Sequence, residues 1–244
     1  MSLEGKTAIV TGASSGIGAS TTRKLREAGV RVAGGARRVA RVDADVALEL
    51  DVTDPESSAR FVDEAVAALG GGVDILFNNA GLALGRYAFT ESNEEDEARV
   101  LHTNVDGLLR MTRLCLPHVR DGGHIVNMGS IAGRQAYPNG ASYVTSKFAV
   151  RGFTYALRED LLGRPIRITT VDAGLVETEF SVVRFGGDQA AADAVYEGVD
   201  PITPDDVAEC VLFALTRPPH VNVDEVVIKA LAQSSGARIV RREG

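Results

Sequence analysis

A short apolar run directly before a cluster of three glycines fixes the start of this chain. Lys6 to Thr11 (KTAIVT) reads as a buried strand, and Thr11-Gly12-Ala13-Ser14-Ser15-Gly16-Ile17-Gly18 follows it. A helix then runs from Gly16 to Ala28 and is stopped by Gly29. In such a strand–turn–helix the first glycine permits the tight turn. The second lets backbone approach a pyrophosphate, and the third lets the helix pack on the strand. The helix N-terminus adds unpaired N–H groups and a partial positive charge. The segment therefore reads as the phosphate cradle of a dinucleotide site.

The alternation of apolar run and amphipathic segment continues. Strands are expected at Val30–Ala36, Val46–Leu50, Asp74–Asn78, His124–Met128, Ile166–Val171 and Glu225–Leu231. Helices are expected at Pro55–Leu69, Glu94–Arg120 and Ser142–Leu162, with Asp54 before Pro55 as a start signal. Strands alternating with helices mean βαβ units and a parallel, doubly wound α/β sheet. No linker or repeat divides the 244 residues, so a single domain over 1–244 is expected. One link is short. Arg37 to Asp45 leaves nine residues where a parallel crossover usually takes about a dozen or more. Fully extended, they reach roughly 30 Å, enough to return along a strand of about 17–20 Å. An extended crossover or one short turn is expected there.

Composition excludes several classes. A net charge of -7 argues against nucleic-acid binding through the bulk field. Two Cys rule out a disulfide scaffold, and both fall in apolar helical stretches as buried thiols. The four His are scattered without metal-ligand spacing, so no metal is expected. No run of 18 apolar residues exists, and MSLEGKTAIVTG lacks the basic start of a signal peptide. No membrane association and a cytoplasmic location are expected. Glu91 to Glu97 reads as an acidic helix start, and Arg238 to Arg242 as a solvated end.

The end of the second strand bears on cofactor choice. It reads Gly35-Ala36-Arg37-Arg38, without the carboxylate that would bind ribose hydroxyls. Two guanidiniums there suit the 2′-phosphate of NADP(H). The alternative is a pair of solvated arginines on a chain with 22 Arg and four Lys. Asp51-Val52 ends the third strand at the expected adenine edge, although Asp51 also suits a capping role shared with Asp54. Tyr143 and Lys147 lie on one helix face at i, i+4. A phenol titrates near pKa 10 and works as an acid–base group only when something, such as a nearby cation, favours the phenolate. Ser130 closes the fifth strand (HIVNMGS), where its hydroxyl could hold a carbonyl oxygen beside a Tyr hydroxyl. Asn104 sits inside a helical stretch, where Asn usually points outward; its functional reading is a side chain holding water that links Lys147 to solvent.

TGxxxGIG at 11–18, Asn78-Asn79-Ala80-Gly81, Asn104, Ser130, and Tyr143 with Lys147 occur in order. Together they resemble the short-chain dehydrogenase/reductase family from about residue 6 to 232. The resemblance implies a seven-stranded Rossmann fold and an Asn104-Ser130-Tyr143-Lys147 tetrad. It also implies hydride transfer between a carbonyl/alcohol pair and nicotinamide, and a homotetramer or homodimer. Cofactor contacts are implied at Thr11, Gly12, Ser14, Ser15, Gly16, Ile17, Gly18, Asn79, Ala80 and Gly81. Tyr143, Lys147, Gly174, Val176 and Thr178 are implied to join them. A narrower likeness lies in Asn78–Gly85, Gly174–Gly187, Ile202–Glu209 and Pro219–Val223. These segments resemble the NADP-dependent dehydrogenases of serine, allo-threonine and related 3-hydroxy acids. Relatives with the same tetrad reduce other aldehydes and ketones in biosynthetic pathways, and a non-catalytic NADP-binding sensor is the remote alternative. Ala173 stands where the family usually has Pro, which removes a fixed φ before the nicotinamide loop. The segment from Leu175 to Asp200 reads as a substrate lid with Gly186-Gly187 as hinge. Within it, Arg184 is the candidate fork for a substrate carboxylate, beside Ser130 and Tyr143; the alternative is a lid arginine facing solvent.

Overall fold

The computed structural model describes residues 1–242. Its strands are β1 (Thr7–Thr11), β2 (Arg31–Ala36), β3 (Val46–Glu49), β4 (Val73–Asn78), β5 (Val119–Met128), β6 (Arg167–Ala173) and β7 (Glu225–Ile228). Its helices are α1 (Gly16–Glu27), α2 (Pro55–Ala68), α3 (Glu94–Leu101), α4 (Gly107–Cys115), α5 (Ala141–Asp160), α6 (Glu179–Arg184), α7 (Gln189–Ala194) and α8 (Pro204–Leu215). All seven strands pair in parallel, in the order β3-β2-β1-β4-β5-β6-β7. This is the doubly wound Rossmann arrangement. Strand order reverses between β1 and β4, so a crevice opens outside their carboxyl ends.

Successive strand side chains alternate between the two faces. Ala8 and Val10 of β1 join Leu25 of α1 and Val207, Val211 and Leu215 of α8. Ile9 faces the other way, into Phe61 of α2, Met111 of α4 and Leu157 of α5. Burial on both faces explains why β1 reads as a continuous apolar run. Asp54 caps α2 by accepting from the Glu56 N–H at 2.9 Å. Asn93 caps α3, whose first turn is acidic as expected. The short link after β2 is a single turn, Val39–Arg41.

Several boundaries differ from expectation. The helix expected over 94–120 is broken by a π turn at His102–Asp106 and ends at Cys115, and Pro117 lies in a short turn leading into β5. β5 starts at Val119 rather than His124, with a register shift between Val73 and Ile75. Gly122, at φ +82°, supplies a backbone state that L side chains rarely adopt. β6 reaches Ala173, β7 stops at Ile228, and the segment read as a lid holds α6 and α7. Helix α8, hidden in Ile202–Glu209 and beyond, carries a capping box between Thr203 and Asp206. The arginine tail is exposed but tethered. Arg241 donates to the carbonyls of Val195 and Glu197, and Arg242 pairs with Asp200 at 2.6 Å.

His124 on β5 gives the fold an acid limit. Its Nε2 bonds Thr169 Oγ1 at 2.7 Å, while Nδ1 has no partner among the described residues. Burial, with the charge of Arg167 nearby, pushes its pKa down to about 3. The unfolded chain therefore takes up a proton near pH 6.5 that the folded state refuses. Stability is full above that pH and falls as pH drops toward 3. This one group should cost about 1.5 kcal/mol between pH 6.5 and 5. Urea midpoints of the native chain and His124→Leu should diverge over that interval; parallel curves would clear His124.

Candidate active site

The crevice at the switch point is a cleft of about 480 Å³. At one end lies the glycine loop after β1. Gly18 is fixed by close approach, since a Cβ there would stand 2.2 Å from the Gly12 carbonyl oxygen. Gly12, Ser14, Ser15, Gly16 and Ile17 line the cleft, whereas Thr11 and Gly18 do not. Thr11 is instead a brace. Its hydroxyl accepts from the N–H groups of Asn79 at 2.9 Å and Ala80 at 3.0 Å, tying the loops after β1 and β4 together. Asn79 completes the tie by donating to Thr11 O at 3.0 Å and Gly12 O at 3.3 Å. Asn79, Ala80 and Gly81 form the floor of the cleft.

Arg37, Arg38, Asp51 and Val52 line the adenosine-side wall. Arg38 donates to Ser15 Oγ at 3.0 Å and pairs with Glu179 at 2.7 Å. Asp51 accepts from the backbone N–H of Thr53 at 2.9 Å and its hydroxyl at 2.7 Å, while Asp54 caps α2 alone. Burial raises the Asp51 carboxyl, but the Thr53 hydrogen bonds and the Arg37 charge outweigh it and hold the group below its ordinary range.

At the opposite end, Ser130, Tyr143 and Lys147 meet. Ser130 closes β5 and caps a short turn by accepting from the Ala132 N–H at 3.1 Å; its own bond to Ala173 O is long at 3.4 Å. Tyr143 and Lys147 project from α5, with the Lys147 ammonium 5.7 Å from the Tyr143 ring centre. Lys147 is buried and donates to Met128 O at 2.8 Å. Burial pushes its pKa down to about 8, against the charge of Asp172. Burial and Tyr137 push the Tyr143 phenol above its ordinary value, while Ser130 and Arg184 favour ionisation.

Asn104 departs from its expected geometry. It sits in the π turn, 2% exposed, rather than pointing outward. Its amide donates to Leu82 O at 2.8 Å and Ser146 Oγ at 3.0 Å, and its oxygen accepts from the Leu82 N–H. Both donors are spent, so the side chain braces α5 against the loop after β4 rather than donating to water. The loop after Ala173 is held without proline. The Gly174 N–H bonds Ile228 O at 2.8 Å, and the Leu175 N–H bonds Gln233 Oε1 at 2.8 Å. Gly174, Val176 and Thr178 line the cleft beyond it.

The stacking of Arg184, itself a candidate from the sequence, and the ionic cluster around Asp172 are not legible in the sequence. Arg184 lies outside the main cleft lining but stacks over Tyr143, its guanidinium carbon 5.8 Å from both the Tyr143 and Tyr137 ring centres. It donates to Gly85 O at 3.1 Å and Tyr137 Oη at 3.3 Å, and makes no ion pair among the described residues. Phe180 meets Tyr143 edge-on at 5.5 Å. Behind Ser130, Asp172 pairs with Arg134 at 2.6 Å. Arg134 also pairs with Glu225, which receives Arg151 at 2.7 Å and the Tyr155 hydroxyl at 2.6 Å. Among the described residues no group of His, Cys, Asp and Glu could hold a metal, and no helix is long and apolar enough to cross a membrane.

A parallel sheet with a glycine cradle at its switch point and Ser, Tyr and Lys at its far end defines a nicotinamide-type oxidoreductase. Comparison agrees: residues 6–185 match the family described as short chain dehydrogenase, and the chain belongs to it. It is 41% identical to the NADP-dependent 3-hydroxy acid dehydrogenase of Schizosaccharomyces pombe, over 99% of this chain and 98% of that one. It is 40% identical to a sulfoacetaldehyde reductase of Chromohalobacter salexigens, over 93% and 95%. A solved structure, the closed form of serine dehydrogenase complexed with NADP+, superposes with a TM-score of 0.88. It is 37% identical, covering 97% of this chain and 100% of that one.

Proposed function

We propose that this chain interconverts a small 3-hydroxy acid, such as serine or allo-threonine, with its 3-oxo form. The enzyme is an NADP-dependent oxidoreductase acting on CH–OH groups. The cofactor fits the residues present: Gly12, Ser14, Ser15 and Gly16 line the cleft, Arg37 and Arg38 follow β2, and no carboxylate closes that strand. Bound nicotinamide supplies or accepts the hydride. Thr178, Val176 and Gly174 would hold its carboxamide end, and Ser14, Ser15, Arg37 and Arg38 the phosphorylated ribose. In reduction, Tyr143 gives its proton to the developing alkoxide, and Ser130 donates a hydrogen bond to the same oxygen. Lys147 favours the phenolate that results. In oxidation the phenolate is the base.

The observation that carries the substrate reading is Arg184. Its guanidinium stands over the Tyr143 ring without a carboxylate partner among the described residues. An anionic group on the substrate, held there, would lie close to the hydroxyl under attack. The candidate substrates place one carbon between the reacting carbon and the anion, in a 3-hydroxy acid and a 2-oxoethyl sulfonate alike. The sulfoacetaldehyde reductase among the relatives makes that sulfonate the second reading.

Absorbance at the NADPH band separates the readings. With NADP⁺ at alkaline pH, serine, allo-threonine and 3-hydroxyisobutyrate should be turned over, and the NAD⁺ control should lag. NADPH consumption with sulfoacetaldehyde alone would select the second reading. Turnover restricted to uncharged aldehydes and ketones would point to a general carbonyl reductase. Arg184→Ala should raise KM for either acid about tenfold or more and leave NADPH binding alone. An unchanged KM would remove Arg184 from the site.

A further inference from the structure

Helix α6 is anchored at its two ends to opposite halves of the cleft. At its first residue, Glu179 Oε2 accepts from Arg38 at 2.7 Å and Oε1 from Arg41 at 3.2 Å. At its last, the Arg184 carbonyl accepts from the Gly85 N–H at 2.8 Å, and the Arg184 Nε returns a bond to Gly85 O at 3.1 Å. Phe180 and Val183 line the cleft between these anchors. One end of this short bar therefore rests on the adenosine edge, and the other on the loop beside Tyr143.

The adenosine-side anchor uses the groups a 2′-phosphate would need. Arg38 and Ser15 are bonded to each other at 3.0 Å, and both line the cleft. A phosphate seated on them would stand beside the Glu179 carboxylate, and like charges at that range repel. Glu179 stays ionised, because the Arg38 hydrogen bond and the charges of Arg38 and Arg41 hold its carboxyl below the usual range. The pair is also weak enough to yield: Arg38 and Glu179 side chains are 48% and 47% exposed.

We propose that Glu179 occupies the 2′-phosphate arginines in the free enzyme and is displaced when NADP(H) binds, releasing the adenosine-side anchor of α6. This rests on the reading of Arg38 as a phosphate-binding residue. NAD(H) has no phosphate at that position and leaves the carboxylate where it is. Glu179 thereby couples the freedom of the lid to the correct cofactor, at the expense of some NADP(H) affinity.

The probes are 2′,5′-ADP, which carries the phosphate without nicotinamide, and 5′-ADP as control, titrated calorimetrically into the full chain. Glu179→Gln should bind 2′,5′-ADP about threefold to tenfold tighter than the native chain at low salt. The gain should shrink as salt screens it, and 5′-ADP affinity should not move. Limited proteolysis gives a second readout. In the native chain, cleavage within 175–200 should accelerate with 2′,5′-ADP but not with 5′-ADP, whereas Glu179→Gln should be cleaved rapidly without ligand. Equal or weaker binding of 2′,5′-ADP by Glu179→Gln overturns the displacement. Arg38→Ala tests the premise separately. It should lose most of the preference for 2′,5′-ADP over 5′-ADP; a preference that survives means the phosphate sits elsewhere, and the proposal falls with it.

Discussion

Tyr143→Phe should lower kcat by about 10²–10⁴-fold in both directions with NADP(H) affinity nearly unchanged. The substitution removes one oxygen from a ring that Phe180 and Arg184 already pack. The cavity wall therefore survives while the proton donor does not. The native enzyme's oxidation rate should rise with pH, because in the proposed mechanism the phenolate is the base and burial holds the phenol up in the free protein. In the variant that pH dependence should vanish with the activity. Steady-state kinetics from pH 7 to 10, with cofactor binding followed by fluorescence, reads both. A variant within a few-fold of native kcat would show that protons reach the substrate by another route.

The second large effect is on stability. Asp172→Ala should cost about 2–3 kcal/mol, read as a lowered urea midpoint at constant slope. Asp172 is 1% exposed and sits beside Arg134, whose side chain is 25% exposed. Removing the carboxylate leaves that guanidinium partly buried with Glu225 as its remaining acidic partner. The loss stays below that of a fully buried pair because Arg134 keeps this contact and some water. Arg134 follows the turn that Ser130 caps, so kcat should fall as well. An unchanged midpoint would mean that Glu225 alone holds Arg134, and that the pair adds nothing to the Ser130 loop.

Periodicity was enough for the sheet and for most of the cleft. Ala8, Ile9 and Val10 are buried on alternating faces as a parallel strand demands, and Tyr143 and Lys147 share one face of α5 because i, i+4 spacing puts them there. What local pattern does not show has a common cause: each feature depends on contacts between residues far apart in the chain. Asn104 looks like an outward Asn inside a helix until its partners, Leu82 and Ser146, are brought to it across the π turn. Thr11 reads as part of the phosphate loop, and its hydroxyl also accepts from the Asn79 and Ala80 N–H groups, 68 and 69 positions away. Asp172, Arg134 and Glu225 lie on three different segments, and no local pattern announces that they meet. Arg184 could be nominated for its charge, but its place over the Tyr143 ring depends on how the lid folds.

The short helix α6 divides labour along the chain. Ser130 caps the turn after β5, and Tyr143 and Lys147 stand on the long helix α5, while Phe180, Val183 and Arg184 stand on a six-residue helix held by its ends. Under the proposed function, what the enzyme does to a carbonyl and which carbonyl it accepts are thus written in separate stretches of sequence. A lineage could change its clientele by rewriting a few letters of α6 and never disturb the reaction. Phe180, with Val183 and Arg184 one turn further on, makes a small enough alphabet for a laboratory to search completely.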